Sequence, residues 1–466
     1  MGMRTKKILQ ITDFASGQAY NLSTKSGVKS TYGIDDAKFP YSPQDMGERR
    51  LKVTELGFDS VEGLTYFGQF FPNASTTVYR LLVHGSDHKA YLTQFVSYTD
   101  QLNWVYNLTF STPPTALAFK QNGSDSIILA SDDKMVLWKT NYNPYTIQNA
   151  PIITSMCMND GALFCTIKQP GFKIWYAKDF NAENVGTISK NSGYISLEDE
   201  LGYATKIVSF KGDVYVIREY GITKLNYVRK DISFTHIFAT NTRIYPNTVS
   251  VCGNLLLFMS TEGMYAFNGS KVSRLNIEIQ DRIRDNEHAV ASSLGSKYYL
   301  GLNIDFKDNK KVLCENDEHI NNALFILDVN DLSFELIRGV DIKGMLPVKT
   351  IYFEKMLVIF NGTYKTRLGE IIKQPKCFGV VMPKKWIKES IFEDSIPKII
   401  TKLQINSSKG LNVKLKCDNR EYLFKTYKDG LNEFTFKVRG VNIDISVESN
   451  QDEMEMKKIL LEYYED

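Results

Sequence analysis

Five glycines constrain this chain more than any other feature: Gly123, Gly161, Gly212, Gly253 and Gly295 stand 38, 51, 41 and 42 residues apart, each ahead of an apolar run. The segments around them align. FKQNGSDSIILASDDKMVLWK from Phe119, MNDGALFCTIKQPGFKIWYAK from Met158, FKGDVYVIREYGITKLN from Phe210 and CGNLLLFMSTEGMYAFNGSKVSRL from Cys252 share one order of parts. LGSKYYLGLNI from Leu294 follows it, as does FEKMLVIFNGTYKTRLGEI from Phe353 without the turn glycine. Each reads as strand, tight turn, apolar strand, second turn, aromatic-containing strand, and self-similarity at a fixed period outranks any local reading.

A four-stranded unit of about 40 to 50 residues is the blade of a β-propeller, because such a unit cannot bury both faces without neighbours. Val61 to Thr109 adds a unit ahead of Gly123, so seven units fit between Val61 and Pro375. Six blades is the alternative, if the last unit only completes the first. The expected fold is therefore all-β, with a propeller over 61–375. Residues 1–60 hold no full unit, are rich in Gly, Ser, Asp and Lys, and read as an N-terminal arm. After Pro375 the spacing changes: KIITKLQI, LNVKLKC, EYLFKTY, NEFTFKV, NIDISVE and MKKILLEYY predict a small β-sandwich over 376–466. Helical periodicity is nearly absent, and one short helix is expected over Asn276 to His288. CENDEHINN, Cys314 to Asn322, reads as a polar insertion between strands.

Composition narrows the function classes. Tyr (26) and Phe (27) are abundant, which suits strands. The net charge of +3 comes from 56 basic and 53 acidic residues well mixed along the chain, unlike the basic stripe of a duplex-DNA reader. No run of 18 apolar residues exists, and MGMRTKKILQITDF has too short an apolar stretch for a signal peptide, so synthesis and residence in the cytoplasm are expected. Cys157, Cys165, Cys252, Cys314, Cys377 and Cys417 form no C-x-x-C pair and read as small buried hydrophobes. The sequons at Asn73, Asn107, Asn268 and Asn361 read as turn-forming tripeptides.

Catalytic patterns are missing: no nucleophile elbow, no phosphate-binding G-x-x-x-x-G-K-[ST], no H-E-x-x-H. His84 and His88 in HGSDHK have four-residue spacing, but their flanks make them a hairpin turn rather than a metal pair. His236, His288 and His319 are single. SDDKMVLW, Ser131 to Trp138, resembles a sialidase Asp-box with Met135 and Leu137 in place of its Gly and Thr; that box stabilises a turn and buries its Trp. No enzyme activity, metal or cofactor is expected.

KGDVYVIREYGITKLN, then STEGMYAFNGSKVSRLN, then NIEIQDRIRD resembles the β-propeller virion proteins of tailed bacteriophages, which include packaged-DNA stabilisation proteins and tail hub or nozzle proteins. Their strand and turn G-x-Y-x-F-x-G is matched by Gly263, Tyr265, Phe267 and Gly269. WYAKDFNAENV is similar to a segment that follows a blade strand in the family, without its Pro and Trp. YYLGLNI with NNALFILDVNDLSFELI is similar to a late blade, and the strands ending KKILLEYY to the trailing sandwich. The likeness spans Pro151 to Tyr464. It implies a component of the virion connector or tail, a ring of copies contacting portal, adaptor or other tail proteins, with packaged DNA passing nearby and not read by sequence.

The competing reading is a propeller that binds host-surface glycans through Trp104, Trp138 or Trp175; against it, these rings would simply pack between blades. Lys384, Lys385 and Trp386, after Pro383 at the junction of ring and sandwich, are the candidate partner-interface residues. A solvated linker is the other reading of the same three.

Overall fold

The computed structural model describes residues 5–11, 30–31, 41–45, 61–69, 79–95, 103–121, 123–179, 181–228, 231–275, 283, 286–304, 321–330, 332, 334–338, 341–351, 353–361, 366–373, 376–377, 380–381, 384–388, 391–392, 394–427, 429–449 and 456–465. Among them the architecture is all-β, built from small antiparallel sheets. Seven four-stranded sheets follow one another along the chain. Six take all four strands from one stretch, beginning at Val61–Gly68, Thr115–Gln121, Ile153–Asn159, Ala204–Phe210, Ile244–Cys252 and Val290–Leu294. The seventh begins at Ile342–Lys349 and takes its fourth strand, Tyr41–Asp45, from the N-terminal region.

The turn glycines do what their spacing predicts. Gly123, Gly161, Gly212, Gly253 and Gly295 all have positive φ and sit between the first and second strands of the second to sixth sheets. At Asp160-Gly161 and Lys211-Gly212 both residues are left-handed, as a tight hairpin of matching twist requires.

The second strand of each sheet has an apolar, buried middle because both its faces are covered. In Ser124–Ala130, Ile127 and Leu129 pack with Leu82, Leu92 and Phe110 of the first sheet. Ile128 and Ala130, pointing the other way, pack with Leu163 and Cys165 of the third. Alternation of side chains across a strand thus divides each sheet between two neighbours. The same sharing joins third to fourth around Phe164 and Val216, fourth to fifth around Tyr215 and Phe267, fifth to sixth around Met259 and Phe325, and sixth to seventh around Leu324 and Phe360. A further cluster joins the seventh sheet to the first: Val348, Leu357, Ile359 and Leu368 pack with Val61, Leu81, Val83 and Tyr91. The first strands follow the same circuit, with Val61–Gly68 lying against both Thr115–Gln121 and Ile342–Lys349.

Two further sheets face each other at the C-terminal end. One orders Lys7–Ile11, Met456–Glu465, Lys398–Ser407 and Gly430–Gly440; the other orders Ser30–Thr31, Lys384–Lys388, Ile443–Ser449, Asn412–Cys417 and Arg420–Lys425. Leu403, Ile405, Ile459 and Leu461 of the first meet Val413, Leu415, Ile445 and Val447 of the second in one core.

The arm expected over 1–60 contributes its described strands to three different sheets. The six-unit alternative, in which the last repeat only completes the first sheet, does not hold. The first sheet has four strands of its own, and it is the seventh that is completed, by Tyr41–Asp45 in register with Gly369 to Lys373. Its third strand, Thr366–Lys373, would otherwise present an open edge. Most of the expected helix at Asn276 to His288 lies outside the described residues; within it, Ile283 bridges Ile304 in antiparallel fashion. Residues 314–320 of the polar insertion also lie outside them. Asn322 closes the base of that insertion, its side-chain amide accepting from Ile304 N and donating to Ile304 O.

Candidate functional site

Lys384, Lys385 and Trp386 fall within the strand Lys384–Lys388, not in a solvated linker. They pair with Ser449, Glu448 and Val447 on one side, and Trp386 pairs with Thr31 on the other. Backbone pairing on both sides removes the linker reading, because this strand is interior to its sheet. Charge at 384 and 385 had suggested solvent; strands with one wet face carry the same residues.

The tryptophans separate. Trp138 is 1% exposed in the core between the first and second sheets, so it offers no platform. Trp175 is half-buried; its ring lies 5.4 Å from that of its cross-strand neighbour Tyr194, which is 39% exposed, and Lys173 Nζ sits 4.1 Å from the Tyr194 ring centroid. The backbone of Trp104 is opposite Thr93 in the first sheet, and its side chain lies outside the description.

His84 and His88 do not converge. His84 is fully buried, with Nε2 3.3 Å from Phe110 O and Nδ1 3.4 Å from the Glu62 carboxylate; His88 occupies the turn with φ of 62°. Among the described residues no group of three His, Cys, Asp or Glu side chains is placed to hold a metal ion. Cys157, Cys165, Cys252 and Cys417 are buried free thiols, and burial pushes Cys157 up to about 12 and Cys417 up to about 11, so neither is a thiolate nucleophile near neutral pH. In the turn resembling an Asp-box, the Ser131 hydroxyl donates to Asp133, Ser131 N donates to Lys134 O, and Ser111 N donates to Asp133 Oδ1 from the preceding loop. It is a turn lock.

A polar cluster in the fourth sheet escaped sequence reading. Arg218 ends the strand Asp213–Arg218 and is fully buried. Its guanidinium donates to Leu197 O at 2.7 Å, to Gly202 O at 2.6 and 3.0 Å, and to the Asp199 carboxylate at 2.7 Å. His236 Nε2 lies 3.5 Å from Asp199, and His236 Nδ1 lies 3.1 Å from the Thr223 hydroxyl. Thr223, His236 and Asp199 therefore line up as a hydroxyl, imidazole and carboxylate. The Thr223 side chain is buried to the last atom and Asp199 is committed to Arg218, so no substrate can reach the hydroxyl. The cluster instead ties the loop of residues 197–203 to the sheet. The lone arginine in DVYVIR was its only sequence signal.

Exposed large apolar side chains are scattered over the described residues, with Tyr142, Ile188, Ile351, Leu423 and Tyr427 the most exposed. Of these, Leu423 and Tyr427 lie in the C-terminal unit at 75% and 80%, where the half-buried rings of Phe424, Phe434 and Phe436 pack on one another. No protein-family model matches the chain, and no curated protein matches its sequence.

Proposed function

We propose that the seven sheets are the blades of a closed β-propeller, followed by a β-sandwich, and that the chain is a structural component of a tailed-bacteriophage virion, in the connector or tail. The observation that carries this reading is the circuit of shared cores, which returns from the seventh sheet to the first through Val348, Leu357, Val61 and Val83. A unit covered on both faces has no end to unravel. The N-terminal strands add to this by joining both parts of the chain: Lys7–Ile11 edges one sandwich sheet, and Tyr41–Asp45 completes the seventh blade. A body tied in this way suits a part that must hold shape under internal pressure.

The residues of the phage resemblance fit the same architecture. Gly263 takes positive φ at the start of the strand Gly263–Phe267 and Gly269 in the turn that follows it, while Tyr265 and Phe267 are buried between the fourth and fifth sheets. In this reading copies assemble on portal, adaptor or other tail proteins, the protein resides in the virion, and packaged DNA passes without sequence-specific contact. Negative-stain images and DNA content of particles made without the protein test it. Loss of tails or of retained DNA is expected; intact, DNA-filled, tailed particles would end the proposal.

Glycan attachment is the second reading, favoured only by Trp175, Tyr194 and Lys173, whose aromatic and cationic groups reach the surface together. Glycan-array binding that Trp175→Ala abolishes would replace the structural reading with this one.

A further inference from the structure

The strand Arg420–Lys425 ends its sheet: Asn412–Cys417 pairs with it on one side, and among the described residues no strand lies on the other. Its six residues, REYLFK, keep an unbroken register with that neighbour, with no bulge to turn the edge away. Leu423 at its middle is 75% exposed. Natural edges are often blunted by a bulge or a proline, and this one has neither; Arg420, of the same parity as Tyr422 and Phe424, is exposed at the first position of the strand.

The order of side chains is self-complementary. A two-fold axis perpendicular to the sheet through Leu423 would lay a second copy of the strand antiparallel to the first, joining two five-stranded sheets into one. Leu423 then meets Leu423 of the other copy. Glu421 falls opposite Lys425 on the wet face, twice by symmetry, and Tyr422 falls opposite Phe424 on the core face. Both registers respect the pleat, since Tyr422 and Phe424 already pack inward on the core while Glu421, Leu423 and Lys425 are exposed. Lys414 Nζ, 3.0 Å from Glu421, would extend each new pair into a three-charge row. No like charges confront one another anywhere along this match.

We infer that the Arg420–Lys425 edge is a homodimer contact, in which a second copy of this chain adds its own Arg420–Lys425 strand antiparallel across a two-fold axis at Leu423. The partner is argued from charge complementarity: in this register a second copy of the same strand pairs each acid with a base, and hydrophobe with hydrophobe. Main-chain hydrogen bonds supply the attraction, and the Glu421 and Lys425 pairs set the register. The inference is independent of any role in a virion.

Sedimentation velocity of the full chain over a concentration series tests it. The wild-type chain should show a reversible dimer by about 100 micromolar, the range of a small two-fold contact. Lys425→Glu, at an exposed position and leaving the Lys414 to Glu421 pair intact, puts acid opposite acid twice and should weaken association by about tenfold or more. Glu421→Lys should do the same. Each variant alone is then monomeric, whereas an equimolar mixture of the two forms a heterodimer, because every 421 and 425 again meets its opposite; the double variant dimerises with itself. A wild-type chain that stays monomeric at that concentration would overturn the inference. So would a dimer that Lys425→Glu leaves unchanged, or single variants that fail to associate on mixing.

Discussion

Arg218 Nη1 lies 2.6 Å from Asp199 Oδ1, joining the second strand of the fourth sheet to the loop that enters that sheet. The guanidinium is fully buried and its other hydrogen bonds end on backbone carbonyls, so truncation strands Leu197 O, Gly202 O and a carboxylate at once. Arg218→Ala should cost about 3–5 kcal/mol of stability, measured by chemical denaturation. Arg218→Lys should recover only part of this, because an ammonium cannot reproduce the planar fork.

The same pair predicts an acid limb. Desolvation alone would raise the Asp199 carboxyl, but the Arg218 hydrogen bond and the Leu201 N–H outweigh it and hold the group below its ordinary range. A carboxyl depressed in the folded state adds stability above its unfolded value, near pH 4, and that stability is lost as pH falls through the folded value. Asp199→Asn should flatten this part of the stability profile between about pH 4 and pH 2, with little change in slope near pH 7.

Trp138 separates packing from ligand binding. Its side chain fills the core between the first two sheets with Leu82, Leu92 and Ile127. Trp138→Ala should cost about 3–5 kcal/mol through the cavity it leaves, seen as a lowered melting temperature. Trp175→Ala, at a half-buried site, should cost less, and the two variants should rank in that order in the same thermal melt.

Repetition was legible in the sequence because it is local. Turn glycines such as Gly212 and apolar second strands such as DVYVIR report their own conformation, and the seven-unit count follows from them. The strand that completes the seventh sheet was not legible. Tyr41–Asp45 pairs with residues more than 300 positions along the chain, and nothing in YSPQD names that partner. Lys384 and Lys385 looked like a linker for the same reason, since a strand between two others is defined by neighbours and not by its own charge. The Arg218 cluster was hidden because three of its hydrogen bonds end on main-chain oxygens, which every residue carries.

Two glycines with similar backbones should respond differently to substitution. Gly212 has φ of 82° with nothing within 4 Å of an added Cβ, so Gly212→Ala meets only the left-handed penalty, about 1–2 kcal/mol. Gly186 has φ of 89°, and an added Cβ would lie 2.2 Å from the backbone oxygen of Asn149, where the loop after the third strand of the third sheet packs on the preceding connection. Gly186→Ala should therefore cost about 3 kcal/mol or more, and the gap between the two variants in denaturant midpoint measures the contact itself.

Lys206 gives the opposite pH signature to Asp199. It lies on the first strand of the fourth sheet and donates to Val249 O of the fifth at 2.9 Å, and burial pulls its ammonium down to about 8. Between about pH 8 and the ordinary lysine value near 10.4, the unfolded chain holds a proton that the folded chain has released. Folding is then favoured increasingly as pH rises through that window, and below it the cost of keeping the ammonium buried is constant. Lys206→Met removes the titrating group and leaves every other lysine in place. The stability of the wild-type chain minus that of the variant should be flat from pH 6 to about 8 and climb from there to about 10. Denaturation at matched ionic strength across that range checks it; a difference that stays level throughout would mean that Lys206 keeps its proton at the ordinary value and that the enclosure at Val249 is open to water.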